Sequence, residues 1–341
     1  MQKEIHIGII GMGLMGRLHL QKYNTFPDVS VVAIADTNRD HLDGRWVDTT
    51  GTSGTDAKET LCLDQVIRYS DMANLLADNS IDAVDICLPT DLHYDVTMKA
   101  LRNGKDVIVE KPIATSPDLA QEMISEAQKY GRVLMVAHPL RFWSVYTQLA
   151  EIVKKEEYGR VFNAQLSRQC ATPLWSSDLW SLDNRRSGGI LLDMQIHDLE
   201  YVISLFGLPD TCCSHSGSRN RNQFGCSLLQ YPDFQVPINS YWIDSPAYPF
   251  KSWAHFLFER ANVTLSVSDT EEKVVVYTPK GASTQPLVPR DPYQEELAYF
   301  VLCVRERVDP VKCPPDVARD AVRLSQKLSL SALNDGKIVP C

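Results

Sequence analysis

Short β-branched runs alternate with helix-patterned stretches through the first 140 residues. The runs are Ile5 to Ile10, Val29 to Ala35, Val66 to Tyr69, Ala83 to Leu88, Val107 to Val109 and Val133 to Val136. Between them the apolar period lengthens to that of a helix near residues 14 to 25, 71 to 78, 93 to 103 and 117 to 130. This alternation predicts an α/β half, a doubly wound parallel sheet with crossover helices. Pro117 and Asp118 stand where a first helical turn tolerates proline and favours a carboxylate. Residues 43 to 60, rich in Gly, Thr and Asp, show no period and read as loop with room for a short helix.

After a helix near 144 to 156 the pattern changes to successive strands: 161 to 171, 211 to 219, 224 to 231, 235 to 243, 253 to 259, 262 to 268 and 272 to 278. One helix interrupts them near 193 to 205, and two more follow near 291 to 306 and 315 to 333. Strands in hairpin-like succession predict a C-terminal α+β domain on a large, mainly antiparallel sheet. Helices would cover one face and leave the other to water or a second copy. The change of period alone divides the chain into two domains, residues 1–140 and residues 141–341.

A length of 341 residues agrees with two domains, and 44% apolar content suffices for an ordinary core. The formal charge of -9 opposes binding to nucleic acid or anionic lipid, so neither is expected as a partner. The apolar stretch after Met1 is too short for a secretion signal, and no window matches a bilayer span. A cytoplasmic location is the expectation. The nine cysteines show no C-x-x-C pair and no zinc-like spacing, so reduced thiols and no metal are expected. Cys87 falls in an apolar strand pattern, and the adjacent Cys212 and Cys213 point to opposite sides of a strand.

The chemistry begins at Gly11-Met12-Gly13-Leu14-Met15-Gly16, which follows a strand and opens a helix. Gly11 allows the tight turn, Gly13 the approach of a pyrophosphate, and Gly16 close helix-to-strand packing, while the amides of Leu14 and Met15 open the helix toward the anion. The next strand ends at Asp36, at the offset of an acid that hydrogen-bonds a ribose 2′-hydroxyl. A carboxylate there favours NAD, with NADP admitted if Asp36 turned away and Arg39, beyond Thr37, met the phosphate. Two further turns fall at carboxyl ends of strands, Leu88-Pro89-Thr90-Asp91-Leu92-His93 and Glu110-Lys111-Pro112, and carry candidates for the nicotinamide end. Pro112 keeps Lys111 out of the helical region and is a candidate cis site. In the second half, Gly188-Gly189 precede Asp193 and His197, four residues apart and on one face if the segment is a single helix.

Taken together, the glycine fingerprint, Glu110-Lys111-Pro112, and Gly188-Gly189 followed by Asp193 and His197 resemble the glucose-fructose oxidoreductase, inositol dehydrogenase and rhizopine-catabolism (Gfo/Idh/MocA) family. Arg141-Phe142 and Asp291-Pro292-Tyr293-Gln294-Glu295 extend the likeness over nearly the whole chain. The resemblance implies NAD(P)-dependent oxidation or reduction at a secondary alcohol or ketone of a sugar, cyclitol or related polyol, between the two domains. It assigns Lys111 to substrate binding and proton transfer, Asp193 to orienting substrate or imidazole, and His197 to general acid/base work. His93 lies in a turn like the family's T-P-N-x-x-H, with Leu88 and Thr90 replacing two of its residues, and His138-Pro139-Leu140 departs from commoner versions. Arg141, Arg168, Trp175, Trp180, Tyr241 and Tyr293 are candidate substrate contacts. A homodimer or homotetramer through the open sheet face is expected. Two rival functions fit the same residues: an NAD-dependent glycosidase acting by transient oxidation and elimination, and a non-catalytic dinucleotide-binding regulator.

Overall fold

The computed structural model describes residues 4–46, 61 and 63–341, so most of the 43–60 loop, Cys62 and the first three residues lie outside the described residues. The first half runs β1 (Ile5–Ile10), α1 (Leu14–Tyr23), β2 (Val29–Ala35), α2 (Arg39–Leu42), β3 (Ile67–Tyr69), α3 (Met72–Ala77), β4 (Ala83–Ile86), α4 (Thr90–Arg102), β5 (Asp106–Glu110), α5 (Pro117–Tyr130) and β6 (Leu134–Ala137). Its six strands are parallel in the order β3-β2-β1-β4-β5-β6. The order reverses between β1 and β4, the place where doubly wound sheets bind ligands beyond their carboxyl ends. Alternating side chains fill two apolar layers. Ile7, Ile9, Ile34 and Ile108 meet Leu20 and Tyr23 of α1 on one side. Val84, Ile86, Val107 and Val109 meet Val96, Leu101 and Met123 on the other.

The second half continues with α6 (Ser144–Lys154), β7 (Val161–Ala171), α7 (Asn184–Ser187), α8 (Gly189–Asp193), α9 (Ile196–Phe206), β8 (Thr211–Arg219), β9 (Asn222–Gln230), β10 (Gln235–Ile243), β11 (Lys251–Phe258), β12 (Asn262–Ser268), β13 (Glu272–Thr278), β14 (Gly281–Thr284), α10 (Pro292–Glu306), α11 (Pro315–Leu333) and β15 (Val339–Pro340). Nine strands form one sheet, ordered β14-β13-β12-β11-β7-β10-β9-β8-β15, antiparallel except where β7 and β10 run parallel. Period-two alternation puts Ala164, Leu166, Ile238, Ala254 and Phe256 on the inner face, in one continuous apolar body with the second Rossmann layer. Helix α10 returns to pack Leu297 and Phe300 against the layer that holds α1. Burying a Leu or Phe side chain stabilises by about 1.5–3 kcal/mol, so these shared layers hold the two sheets in a fixed relation.

Two sequence expectations need correction, and two short strands carried no sequence signal. The helix expected near 193 to 205 is α9, which starts at Ile196, and a separate short helix, α8, precedes it across a break at Met194-Gln195. Gln195 is fully buried there; its Nε2 donates to the carbonyls of Gly225 (3.3 Å) and Ile238 (3.2 Å), and its Oε1 accepts from Ser227 Oγ (2.6 Å). Those bonds draw the backbone down onto the sheet and end the helix. Strand β4 stops at Ile86, and α4 begins at Thr90 rather than near 93, because Pro89 supplies the extended residue before a first turn carrying Asp91. The short edge strands β14 and β15 carry too few alternating residues to be read as strands. Among the described residues no helix is long and apolar enough to cross a membrane, and the described cysteines are all free.

Gly16 shows how tightly the nucleotide turn is built. A Cβ at this position would stand 1.9 Å from the carbonyl oxygen of Gly11, which itself has φ +92. That oxygen belongs to the backbone, so no side chain can yield to relieve the clash. Gly16→Ala is expected to cost about 1–3 kcal/mol of stability and to abolish NAD binding, as checked by thermal unfolding and by titration with NADH.

Candidate active site

The carboxyl ends of β1, β2, β4, β5 and β6 bring the glycine loop, Asp36, Leu88-Pro89, Glu110-Lys111-Pro112 and His138 to one edge of the parallel sheet. At that edge Gly13 has open space where a Cβ would stand, and Leu14 and Met15 begin α1. Asp36 is held in place: Oδ2 accepts from Met12 N (2.7 Å) and Oδ1 from Asn38 N (2.7 Å), and His41 Nδ1 lies 3.0 Å from Oδ2. Burial raises its pKa, but the His41 and backbone donors outweigh that and hold it below the ordinary aspartate value. Asp36 has therefore not turned away, while Thr37 and Arg39 are exposed beside it. An open loop, a helix N-terminus and an ionised acid at the second strand are the features a dinucleotide requires.

Lys111 leaves β5 through a cis peptide to Pro112 and reaches into the second half. Its Nζ donates to the Asp193 carbonyl oxygen (2.7 Å) and to Asp193 Oδ1 (3.1 Å). Asp193 ends α8, and His197 lies in the first turn of α9. The expected partnership of Asp193 with the imidazole does not form. The break at Gln195 rotates the two apart, Asp193 grips Lys111, and His197 Nδ1 is buried with no acceptor. Burial, then the Lys111 and Arg168 cations and His138, push the His197 imidazole well below its ordinary value, so it is neutral at pH 7.

Around this pair the acids of α9 are matched by arginines from other elements. Arg141 makes a forked contact with Glu200 at 2.7–3.0 Å, and Arg168 makes one with Asp198 at 2.8 and 3.0 Å. Arg168 Nη2 also donates to Tyr146 Oη (3.1 Å). Buried acids in an apolar helix need such partners. Arg168 is thus committed to Asp198 rather than open to substrate, with 4% of its surface exposed. Tyr241 alternates with the inward-facing Ser240 and Trp242 and stands on the opposite sheet face, beside Cys226. Trp175 and Trp180 occupy the segment between β7 and α7, half-buried, with Trp175 Nε1 lacking an acceptor. Tyr293 opens α10, and its phenol is pushed up by burial and by the Glu110 and Glu296 carboxylates nearby.

His93 also takes a different role from the one read in the sequence. Its ring is fully buried, with Nδ1 2.7 Å from Pro112 O and Nε2 2.7 Å from Leu88 O. Burial disfavours the charged ring, so one of its nitrogens donates to a carbonyl, and the imidazole packs the two turns against each other.

Further polar groups lie at the site, of which His19, Asp85 and Glu296 carried no sequence signal. His138, at the end of β6, is buried with both ring nitrogens unpartnered, and burial lowers it to about 4. His19 Nδ1 lies 2.8 Å from Asp85 Oδ2 and its Nε2 3.5 Å from Glu110 Oε1. Burial lowers the His19 pKa, but those two carboxylates outweigh it and raise the net value. Cys87 Sγ donates to Asp85 Oδ1 (3.2 Å). The ligand atoms of His19, Asp85 and Cys87 fall within 4.8 Å of one another, a spacing suited to a metal, though their own hydrogen bonds already link them. The nearby Glu296 is pushed well above the ordinary carboxylate range by burial, then by Glu110 and Asp85.

Residues 5–138 match the model of the oxidoreductase family with an NAD-binding Rossmann fold, and residues 146–268 match the GFO/IDH/MocA C-terminal domain. The chain is similar to myo-inositol 2-dehydrogenase of Thermotoga maritima, 29% identical over 205 residues, spanning 60% of this chain and 55% of that protein. It is also similar to scyllo-inositol 2-dehydrogenase (NAD(+)) of Bacillus subtilis, 25% identical over 330 residues, which spans 91% and 89% of the two. In fold it is like an oxidoreductase from Agrobacterium radiobacter solved with NAD+, L-tartaric acid and magnesium, with TM-score 0.82, 18% identity, and 99% and 98% of the two chains covered. With both family models matched in order and the lysine of the first half meeting the acid of the second, the chain belongs to the Gfo/Idh/MocA family of oxidoreductases.

Proposed function

We propose that this oxidoreductase uses NAD to oxidise a secondary alcohol of a cyclitol, sugar or related polyol, and reduces the matching ketone in the reverse direction. The observation that carries the reading is the Lys111–Asp193 contact, which joins the cofactor edge of one sheet to the helix pair of the other beside a neutral imidazole. NAD, when bound, supplies the hydride acceptor. The glycine loop and Asp36 fit that group, because Gly13 leaves the backbone open and Asp36 is ionised.

The remaining chemistry belongs to the chain. Hydride loss from a carbinol carbon leaves an alkoxide-like oxygen unless its proton departs, so a base within hydrogen-bond reach is needed. His197 is in the form that accepts a proton, and Lys111 donates toward the same oxygen and steadies its developing charge. Asp193 aims the amine. Lys111, Arg141 and Arg168 each face a carboxylate, so their charges are balanced, and this balance favours a neutral polyol over a sugar acid. The outer face of the large sheet, bearing Phe224, Tyr241 and Trp253, supports association with a second copy.

A screen of sugars, inositols and sugar acids with NAD and NADP in parallel, followed by reduced-nicotinamide absorbance, tests the reading. Reduction of NAD by a neutral cyclitol or sugar is the expected result. Turnover of sugar acids alone would overturn the charge argument, and turnover of none of the three classes would overturn the proposed activity.

A further inference from the structure

The ribose-side acid is not an isolated carboxylate. A carboxylate offers about four acceptor sites. Asp36 has three of these facing protein donors: Met12 N and His41 Nδ1 at Oδ2, and Asn38 N at Oδ1. One site on Oδ1 remains for a ribose hydroxyl. His41 projects from α2 with 19% of its side chain exposed, against 12% for Asp36, so the pair is largely sheltered.

The other charges around His41 are already matched or stand apart. On its own segment Asp40 and Asp43 share Arg45, each at 2.8 Å, and Arg39 is exposed. Arg68 at the β3 side approaches Asp43 at 3.9 Å. From α1, the Arg17 guanidinium lies over the Trp46 ring at 5.5 Å, and Trp46 Nε1 donates to Met12 O (3.0 Å). Asp36 is the carboxylate that His41 touches among the described residues.

We propose that His41 sets the cofactor preference of this protein according to its protonation: neutral, it leaves Asp36 with a full negative charge that repels a 2′-phosphate; protonated, it cancels that charge and admits NADP. The inference rests on the reading of Asp36 as the ribose-binding acid. With Nδ1 facing Asp36, the free ring nitrogen Nε2 is the site that can take up a second proton. The second proton enters at Nε2, so the Nδ1–H···Oδ2 contact is kept and only the local charge changes. Selectivity against NADP is therefore high in alkaline solution and falls on acidification.

The test is equilibrium binding of NADH and NADPH to the full chain, read by nicotinamide fluorescence from pH 5.5 to 8.5. In the wild type the Kd ratio of NADPH to NADH is expected to fall by on the order of tenfold toward acid, a modest value because the pair is partly screened by solvent. The 2′-phosphate also gains a proton near pH 6, so His41→Gln supplies the comparison: it keeps a donor, cannot charge, and retains only the slope of the phosphate. His41→Arg carries a fixed charge and is expected to accept NADPH across the range. Equal pH slopes for wild type and His41→Gln would overturn the inference. Asp36→Ser separates the underlying reading: it is expected to accept NADPH at pH 8.5, and an unchanged ratio there would show that the ribose pocket itself is misassigned.

Discussion

Replacing Lys111 by Met is expected to lower kcat for polyol oxidation by roughly 10²–10⁴-fold, the usual range for a positioned proton-transfer group. NAD binding should change far less, because the glycine loop and Asp36, the proposed dinucleotide contacts, lie on other elements. His197→Ala should lose activity on the same scale. The double variant should be little worse than either single one, since groups that act as a unit are non-additive. Steady-state rates with a substrate that the wild type oxidises check this, and undiminished NADH formation in the double variant would contradict the proton chemistry. The pH profile carries a sign as well. His197 is held well below its ordinary value, first by burial and then by Lys111, so the base form persists into acid and alcohol oxidation should fall only below the usual histidine range. Ketone reduction needs the protonated imidazole and should rise as pH falls.

The second large effect is on stability. Asp198→Ala leaves the Arg168 guanidinium buried, 4% exposed, with Tyr146 Oη as its remaining side-chain hydrogen-bond acceptor. Breaking such a pair from one side costs about 3–5 kcal/mol, which corresponds to a Tm lower by roughly 10 °C. Replacing both members, as in Arg168→Met with Asp198→Leu, should recover much of that loss, because an apolar pair of similar volume removes the desolvated charge along with its partner. Differential scanning calorimetry of the two variants separates the outcomes. An Asp198→Ala protein as stable as the wild type would mean that water reaches Arg168.

The parallel sheet was legible because its strands are buried on both faces and its turns carry glycine, so Ile5 to Ile10, Gly11 to Gly16 and Asp36 announce themselves locally. Lys111, Asp193 and His197 stand in short motifs, but how the fold arranges them was not legible. The sequence period runs unbroken from Ile190 to Phe206, whereas the helix is interrupted by Gln195, whose side chain bonds to strands 30 to 43 residues away in sequence. A helical wheel therefore pairs Asp193 with His197, while the fold pairs Asp193 with Lys111. His93 was misread for a related reason, since nothing local reveals that both its nitrogens face carbonyls of two different turns. Arg168 and Tyr241 lie on neighbouring strands on opposite sheet faces, and only the pairing register of β7 with β10 decides which face each takes. Asp198 and Glu200, acids within an apolar helix, were the available hint that buried arginines stood opposite.

The central claim is that the amine of Lys111 and the imidazole of His197 flank one reacting carbon at the nicotinamide. A crystal structure of the chain with NAD and the polyol found by the screen tests it directly. The expected result places the nicotinamide ring at the Lys111 edge, with the substrate carbon roughly 3–3.5 Å from the ring carbon that accepts hydride and its hydroxyl within reach of both side chains. A nicotinamide ring bound away from Lys111 and His197 in that complex would contradict the account.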